Sequence, residues 1–356
     1  MAKTLADKLV EDGELLRDPR VQRHIEKETA TLKAKLARSE QMRKFSDGEL
    51  EKTQARVDFI RSLDDPTPQE IEHKPRKHGG SATAIIVCSD WHIEERVDPS
   101  TVNGFNEFSP EIAEQRVKRV FQKAVELIEA ERKMSNIKDV VLALLGDFIT
   151  GYIHPELVEN NYMSPTEACL LAEDLIASGI EYLKKHSGCK HILIPTANGN
   201  HGRTTEKMRI ATEYKNSYEW MMYKHLERYY RNDPKVTWKV SNGYHNWIDV
   251  QGKAIRCHHG HAFRYQGGVQ GASVPILRKI ARWDQQRFAW LDLFGHLHFY
   301  LPGEKFVQNA SLIGYGAYGE FAVGGRCMPI QSLVIVDRIH EIPVAIKPIF
   351  CTDVAA

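Results

Sequence analysis

From Ala82 onward, short aliphatic runs alternate with stretches of helical periodicity, and that alternation leaves few architectures open. Residues 84–88, 139–145 and 191–195 read as buried strands. Between them, residues 110–133 and 165–185 repeat their apolar positions every three to four residues, as amphipathic helices do. The β-α-β-α-β order predicts an α/β layered fold. Residues 204–230 read as one long helix or a helical pair. The remainder is strand-rich, with runs at 236–240, 247–250, 254–257, 291–294, 306–308 and 333–336.

The first 80 residues have another texture: 17 Lys+Arg and 16 Asp+Glu, with apolar residues thinly spread. Leu5, Leu9, Leu15, Leu16, Val21, Ile25, Leu32 and Leu36 recur at loosely helical spacing, and Ser46-Asp47-Gly48-Glu49 has the form of a capping box. Two or three amphipathic helices are expected, with apolar stripes too narrow for a core of their own. A solvated arm and a homo-oligomerisation arm both fit this pattern. Breaker residues at 65–68 and 74–80 mark a linker. The expected division is a helical arm with linker, 1–80, and one domain, 81–356.

Composition excludes several classes. With 48 Lys+Arg against 47 Asp+Glu the net charge is +1, so no positive field coats the chain. No apolar run approaches the roughly 20 residues that span a bilayer, and the charged start has no secretory apolar region. The six cysteines are dispersed and form no C-x-x-C, which suits reduced thiols in a cytoplasmic protein without a membrane partner.

Histidine is the outlier, with 16 residues. Seven of them fall in segments that follow strands: Ser89-Asp90-Trp91-His92, Asn198-Gly199-Asn200-His201-Gly202, Cys257-His258-His259-Gly260-His261 and Gly295-His296-Leu297-His298. Gly146-Asp147 follows another strand. Ligands of layered α/β sheets bind beyond the carboxyl ends of the strands, where these segments can converge. Two carboxylates, one carboxamide and several imidazoles without a thiolate suit Mn²⁺, Fe²⁺, Zn²⁺ or Ni²⁺. The donors outnumber the needs of one ion and match a pair. Alternation along a strand through Cys257 puts His258 and His259 on opposite faces, so only one of the two points inward.

These segments, in this order, resemble the calcineurin-like metallophosphoesterases, with their D-x-H, G-D, G-N-H, H-G and G-H-x-H motifs. The resemblance runs from Ala84 to about Asp337 and leaves out the first 80 residues. It implies a four-layer αββα sandwich of two mixed sheets, here with a helical N-terminal extension. It also implies two divalent ions, manganese in the first place. Asp90, His92 and His298 would hold one ion; Asn200, His259 and His296 would hold the other; Asp147 would bridge. His259 is selected over His258 and His261 because the family's ligand precedes glycine. His201 would protonate the leaving oxygen or bind phosphoryl oxygens, and a hydroxide bridging the metals would attack phosphorus.

The second motif lacks the Asp-Arg-Gly of phosphoprotein phosphatases, since Phe148 and Ile149 follow Asp147. The repair nucleases of the family carry a His where Thr150 stands and an Asp where Gly202 stands; His154 is the alternative imidazole, although a surface-loop role is the simpler reading. Ser89–His92, residues 108–116 and Gly199-Asn200-His201-Gly202-Arg203 are similar to metallophosphoesterases of bacteriophages and prophages, distantly to those repair nucleases. Arg203, His261, Arg264 and Tyr265 are candidate substrate contacts, with basic character continuing through Arg278, Lys279, Arg282 and Arg287. The expectation is a two-metal phosphodiesterase or nuclease acting on DNA in a bacterial or phage-infected cytoplasm. The alternatives are hydrolysis of a small nucleotide and a non-catalytic scaffold; the second is disfavoured because every ligand position is filled.

Overall fold

A computed structural model of the chain describes residues 17–62, 80–263, 271–317 and 327–352, with the single positions 13 and 71. The chain divides into two units, Met1–Pro75 and Arg76–Ala356. Among the described residues, the first unit holds a helix of 44 residues, α1 (Pro19–Ser62), none of them buried, and Gly13 is also helical. No helix begins at Ser46, where a second was expected. Ser46-Asp47-Gly48-Glu49 lies inside α1, because helix-forming residues on both sides carry the helix through it. Exposed pairs one turn apart span the segment, Arg43 with Asp47 at 3.9 Å and Lys52 with Glu49 at 2.8 Å. Leu5, Leu9, Leu15 and Leu16 lie outside the described residues.

The second unit runs β1 (Ser81–Cys88), α2 (Pro110–Glu131), β2 (Asn136–Leu144), α3 (Pro155–Asn160), α4 (Pro165–His186), β3 (His191–Pro195), α5 (Tyr218–Tyr229), β4 (Val236–Lys239), β5 (Asn246–Val250), β6 (Lys253–Cys257), α6 (Ser273–Asp284), β7 (Leu291–Phe294), β8 (Leu301–Pro302), β9 (Phe306–Gln308), β10 (Ile330–Asp337) and β11 (Ala345–Phe350). One sheet has six strands in the order β11-β10-β1-β2-β3-β4, and the other has five in the order β5-β6-β7-β9-β8. In the first, β1 to β4 are parallel and β10 pairs antiparallel with both β1 and β11. In the second, β6, β7 and β9 are parallel, with antiparallel β5 and β8 at the edges. Both sheets are mixed, as expected.

Alternation along the strands builds the layers. Ala84, Ile86 and Cys88 of β1 and Val140, Leu142 and Leu144 of β2 join a core with Val117, Val120 and Ala124 of α2 and Ala172, Ile176 and Ile180 of α4. Ile85, Val87, Val141 and Ala143 point the other way, onto Ile255, Cys257, Leu291 and Leu293 of the second sheet. Phe294 and Phe306 lie with Ile276 and Ile280 of α6. Helix, sheet, sheet and helix therefore stack with an apolar core in each gap, each strand face supplying every second residue.

The helices start where their caps allow. Ser164 and Glu167 form a reciprocal capping box before α4, and Ser109 caps α2 ahead of Pro110. Residues 204–230 form no long helix. Ser217 caps α5 by accepting from Trp220 N, and the residues before it form a loop with a short 3₁₀ turn, Glu213–Asn216. Edge strands β8 and β11 escape the sequence pattern, since Pro302 and Pro348 break it; at a sheet edge the missing N–H is tolerated. None of the six cysteines is in a disulfide. Among the described residues no helix is long and apolar enough to cross a membrane. Because α1 buries nothing, a protein starting at Arg76 is expected to melt within about 2 °C of the full chain in calorimetry; a larger fall would show that the first unit supports the core.

Candidate metal centre

The candidate residues follow the carboxyl ends of strands from both sheets. Asp90 and His92 follow β1, Asp147 follows β2, Asn200 and His201 follow β3, His259 follows β6, and His296 and His298 follow β7. Ligand atoms of Asp90, His92 and His298 lie within 4.8 Å of one another, as do those of Asp147, His259 and His296. Each group draws on both sheets, so neither sheet alone completes one.

These side chains stand on unusual backbone. Among the described residues seven non-glycine positions have positive φ, and five are here: Asp90 (54°), His92 (46°), Asp147 (54°), His296 (71°) and His298 (61°). The left-handed region costs a residue with a Cβ roughly 1–2 kcal/mol, so the loops must be held from outside. Backbone bonds do part of this: Asp90 N–H donates to Gly146 O at 2.9 Å, and His92 N–H to Asp147 O at 3.2 Å. Side-chain carboxylates do more. Asp90 Oδ1 accepts from His296 N at 2.9 Å, and Asp147 Oδ1 from His201 N at 2.8 Å. Two glycines let the loops approach. A Cβ on Gly295 would lie 1.9 Å from Asp90 Oδ2, and one on Gly199 would lie 2.0 Å from Asp147 Oδ1.

Several donor atoms are left without partners. Asp147 Oδ2, Asn200 Oδ1 and His259 Nε2 are buried and hydrogen-bonded to nothing among the described residues. His259 Nε2 comes within 2.8 Å of Asp147 Oδ2, yet outside hydrogen-bond geometry. His92 Nε2 and His298 Nε2 face each other at 3.2 Å, which two lone pairs tolerate only around a shared proton or cation. Orphaned buried polar atoms each cost about 1–3 kcal/mol. Divalent cations would satisfy them, and the nitrogen–oxygen donor set fits such ions.

Outer contacts fix the ligands. His259 Nδ1 donates to Leu145 O at 2.8 Å, which turns the Nε2 lone pair toward Asp147. Thr150 serves two rings: its Oγ1 lies 3.2 Å from His92 Nδ1, and its carbonyl accepts from His201 Nδ1 at 2.9 Å. Burial holds His92 and His296 well below the usual histidine range, in the neutral form that ligates. Burial opposes charge on Asp147 too, but the imidazoles of His259 and His201 hold its carboxyl well below the usual range. Burial would lower His259, yet Asp147 beside it raises it to about 10, so cation binding must displace a proton there.

Sequence reasoning missed a supporting frame. Glu219 accepts from Phe148 N at 2.6 Å and from Gly199 N at 2.7 Å, clamping the loops of Asp147 and Asn200 together. Burial, with Asp147 nearby, pushes its carboxyl up to about 8. Glu94 accepts from Thr150 N and Gly151 N at 2.7 and 2.8 Å. Gln331 accepts from Ser89 N and donates to Ser89 O and Ala310 O. Glu219 reads in the sequence as one more first-turn acidic residue, and only its burial distinguishes it.

Behind His259 the small sheet holds a buried ion pair. Arg256 of β6 donates from Nε to Asp292 Oδ1 at 2.6 Å and from Nη2 to Asp292 Oδ2 at 2.9 Å and Asp284 Oδ1 at 3.0 Å. His258 Nε2 lies 3.2 Å from Asp292, its ring stacked on Phe294 at 5.0 Å. His258 is thus anchored in the α6 layer, and His259 faces the ligand groups.

The remaining candidates are placed differently. His261 lies beside the second group, its ring 5.6 Å from that of His259. Arg203 donates to the carbonyls of Asn200, Thr205 and Glu206 and thereby shapes its own loop. His154 is exposed at the start of α3. Arg264 and Tyr265 lie outside the described residues.

The profile of the calcineurin-like phosphoesterases matches residues 83–322, which include all of these ligand positions. The chain belongs to this family. As a calcineurin-like phosphoesterase it has the mark of a metal-dependent hydrolase of phosphoesters, with two groups of candidate ligands to hold divalent ions. No curated protein matches the chain in sequence. Among solved structures, it is similar to a conserved uncharacterized protein from Streptococcus pneumoniae TIGR4 described as a predicted phosphoesterase. That match has 15% identity and a TM-score of 0.30, and covers 75% of this chain and 97% of the other. Zinc-complexed Vps29 from Entamoeba histolytica matches at 11% identity and TM-score 0.32, over 74% of this chain and 96% of its own. A hypothetical protein from Pyrococcus horikoshii OT3 matches at 12% identity and TM-score 0.36, over 75% and 87%.

Two outcomes are expected. Gly295→Ala should displace Asp90 and weaken divalent-ion binding at least tenfold in titration calorimetry. Asp292→Asn should cost about 3–5 kcal/mol in urea unfolding by stranding Arg256, whereas Arg256→Met with Asp292→Leu together should cost much less.

Proposed function

We propose that this phosphoesterase is a two-metal phosphodiesterase, a nuclease acting on DNA. The observation that carries the reading is the adjacency of two ligand groups and one histidine that belongs to neither. The ring of His201 stands 4.8 Å from that of His92. Its Nδ1 is committed to Thr150 O, so Nε2 is the atom left for a substrate. Burial lowers His201, while Asp147 and the Thr150 carbonyl oppose that fall. Nε2 thus presents a lone pair in the free protein, and the negative charge of a bound phosphate would favour its protonation and transfer of that proton to the leaving oxygen.

Asp90, His92 and His298 would hold one cation and Asn200, His259 and His296 the other, with Asp147 shared between them. Divalent cations there, manganese first and iron, zinc or nickel as further candidates, would supply Lewis acidity and neutralise charge on the phosphoryl oxygens. The chain's own part is to fix the donors on strained, glycine-backed loops, so little reorganisation remains when substrate arrives.

The polymeric substrate is favoured by the face of α6 and the turn after it. Arg278, Arg282 and Arg287 are exposed there, while Asp284 is engaged by Arg256. Exposed cations suit a phosphate backbone.

With manganese present, hydrolysis of bis-p-nitrophenyl phosphate is expected, and chelation should abolish it. His201→Ala should lower kcat by 10²–10⁴-fold while two ions per chain remain bound by elemental analysis; undiminished activity would remove His201 from the chemistry. Labelled single- and double-stranded DNA should be cleaved beside untouched cyclic and linear nucleotides. Cleavage of nucleotides alone would overturn the nuclease assignment.

A further inference from the structure

Beside Asn200, residues 203–217 form a loop closed at its base. Thr204 N donates to Asn216 O at 2.9 Å and Tyr218 N to Gly202 O at 2.8 Å. Under this loop lies a cavity of about 10 Å³ whose lining includes Asn200, Arg203, Thr205, Arg209, Glu213 and Asn216. Glu213 Oε1 is buried and has no hydrogen-bond partner among the described residues. It lies 3.3 Å from His261 Nε2, outside hydrogen-bond geometry, and His261 Nδ1 is likewise buried and unpaired. The His261 ring flanks the second ligand group, 5.6 Å from His259 and 6.2 Å from His296.

Glu213 belongs to neither group of candidate ligands. Burial pushes the Glu213 carboxyl up to about 7, and in its ionised form the oxygen takes a hydrogen-bond donor and disfavours an anion. The ionised oxygen therefore favours a donor-bearing group esterified to the phosphate over the phosphate undergoing cleavage. Exposed Arg209 on the same cavity suits a neighbouring phosphate.

We propose that Glu213 and His261 form a subsite beside the second ligand group that binds a hydroxyl or N–H donor of the nucleoside esterified to the scissile phosphate. This rests on the hydrolase reading above and adds a substrate class to it. Neither residue touches the reacting atoms; the pair orients the nucleoside and so acts on specificity.

The test compares two diesters with the manganese-loaded full chain. Thymidine 5′-(p-nitrophenyl phosphate) carries a 3′-hydroxyl and a base N–H, whereas bis-p-nitrophenyl phosphate carries no donor. In Glu213→Leu the ratio of kcat/KM for the nucleoside ester to that for the bis ester should fall about tenfold, mainly through KM. Glu213→Gln, which keeps the shape and one acceptor, should give a smaller fall and serves if the leucine variant does not fold. With the wild type, the 3′-deoxy ester or the N3-methyl ester should reproduce the loss, which identifies the hydroxyl or the N–H as the donor. An unchanged ratio in both variants, or indifference to both substrate modifications, would overturn the subsite. Failure of the wild type to hydrolyse either diester would overturn the hydrolase reading, and the subsite with it.

Discussion

The ligand loops rest on one constraint: five side chains must be presented from left-handed backbone, and nothing local makes that conformation favourable. The surrounding structure supplies what the loops lack. Glu219 and Glu94 accept from backbone N–H groups that would otherwise be orphaned in the turns. Gln331 and Asn309, from β10 and the loop after β9, tie the end of β1 in place. Of these buried carboxylates and amides only Glu94 Oε2 lacks a hydrogen-bond partner among the described residues, and a satisfied polar network of this kind makes the frame rigid. The ligand geometry is therefore a property of the whole sandwich.

The two sheets contribute unequally. The larger delivers Asp90, His92, Asp147 and Asn200 from three parallel strand ends. The smaller delivers only imidazoles, and its two ligand-bearing strands are joined by the Arg256–Asp292 pair. A buried pair of this sort adds little net stability, but it penalises any slip of β6 against β7 because each charge would lose its partner. Register matters here, since a shift of one residue would exchange His258 and His259 between faces.

Much of the fold was legible because burial on both faces produces aliphatic runs that need no context to recognise, as in Ala84 to Cys88 and Leu291 to Phe294. The two groups of candidate ligands were legible as a cluster because Asp and His beside Gly recur at the ends of several strands, and the fold brings those ends together. What stayed hidden has physical causes. Residues 204–216 have helical composition, but Arg203 captures the Thr205 and Glu206 carbonyls and the next helix starts only at the Ser217 cap, which accepts from Trp220 N, so loop geometry wins over propensity. In α1 the opposite occurred, and propensity carried the helix through an apparent start signal. Glu213, Glu219 and Asp292 gave no signal, since nothing in a carboxylate's neighbours tells whether it will be buried.

The place of β1 in the larger sheet has a consequence for synthesis. It lies between β2, which follows soon after, and β10, which begins 242 residues beyond its last residue (330 − 88). On a ribosome adding roughly 5–20 residues per second, one edge of the most apolar strand waits about 12–50 s for its partner. During that interval the nascent chain exposes an unpaired, strongly adhesive border. Production of this protein is thus governed by shielding during translation as much as by the stability of the finished sandwich.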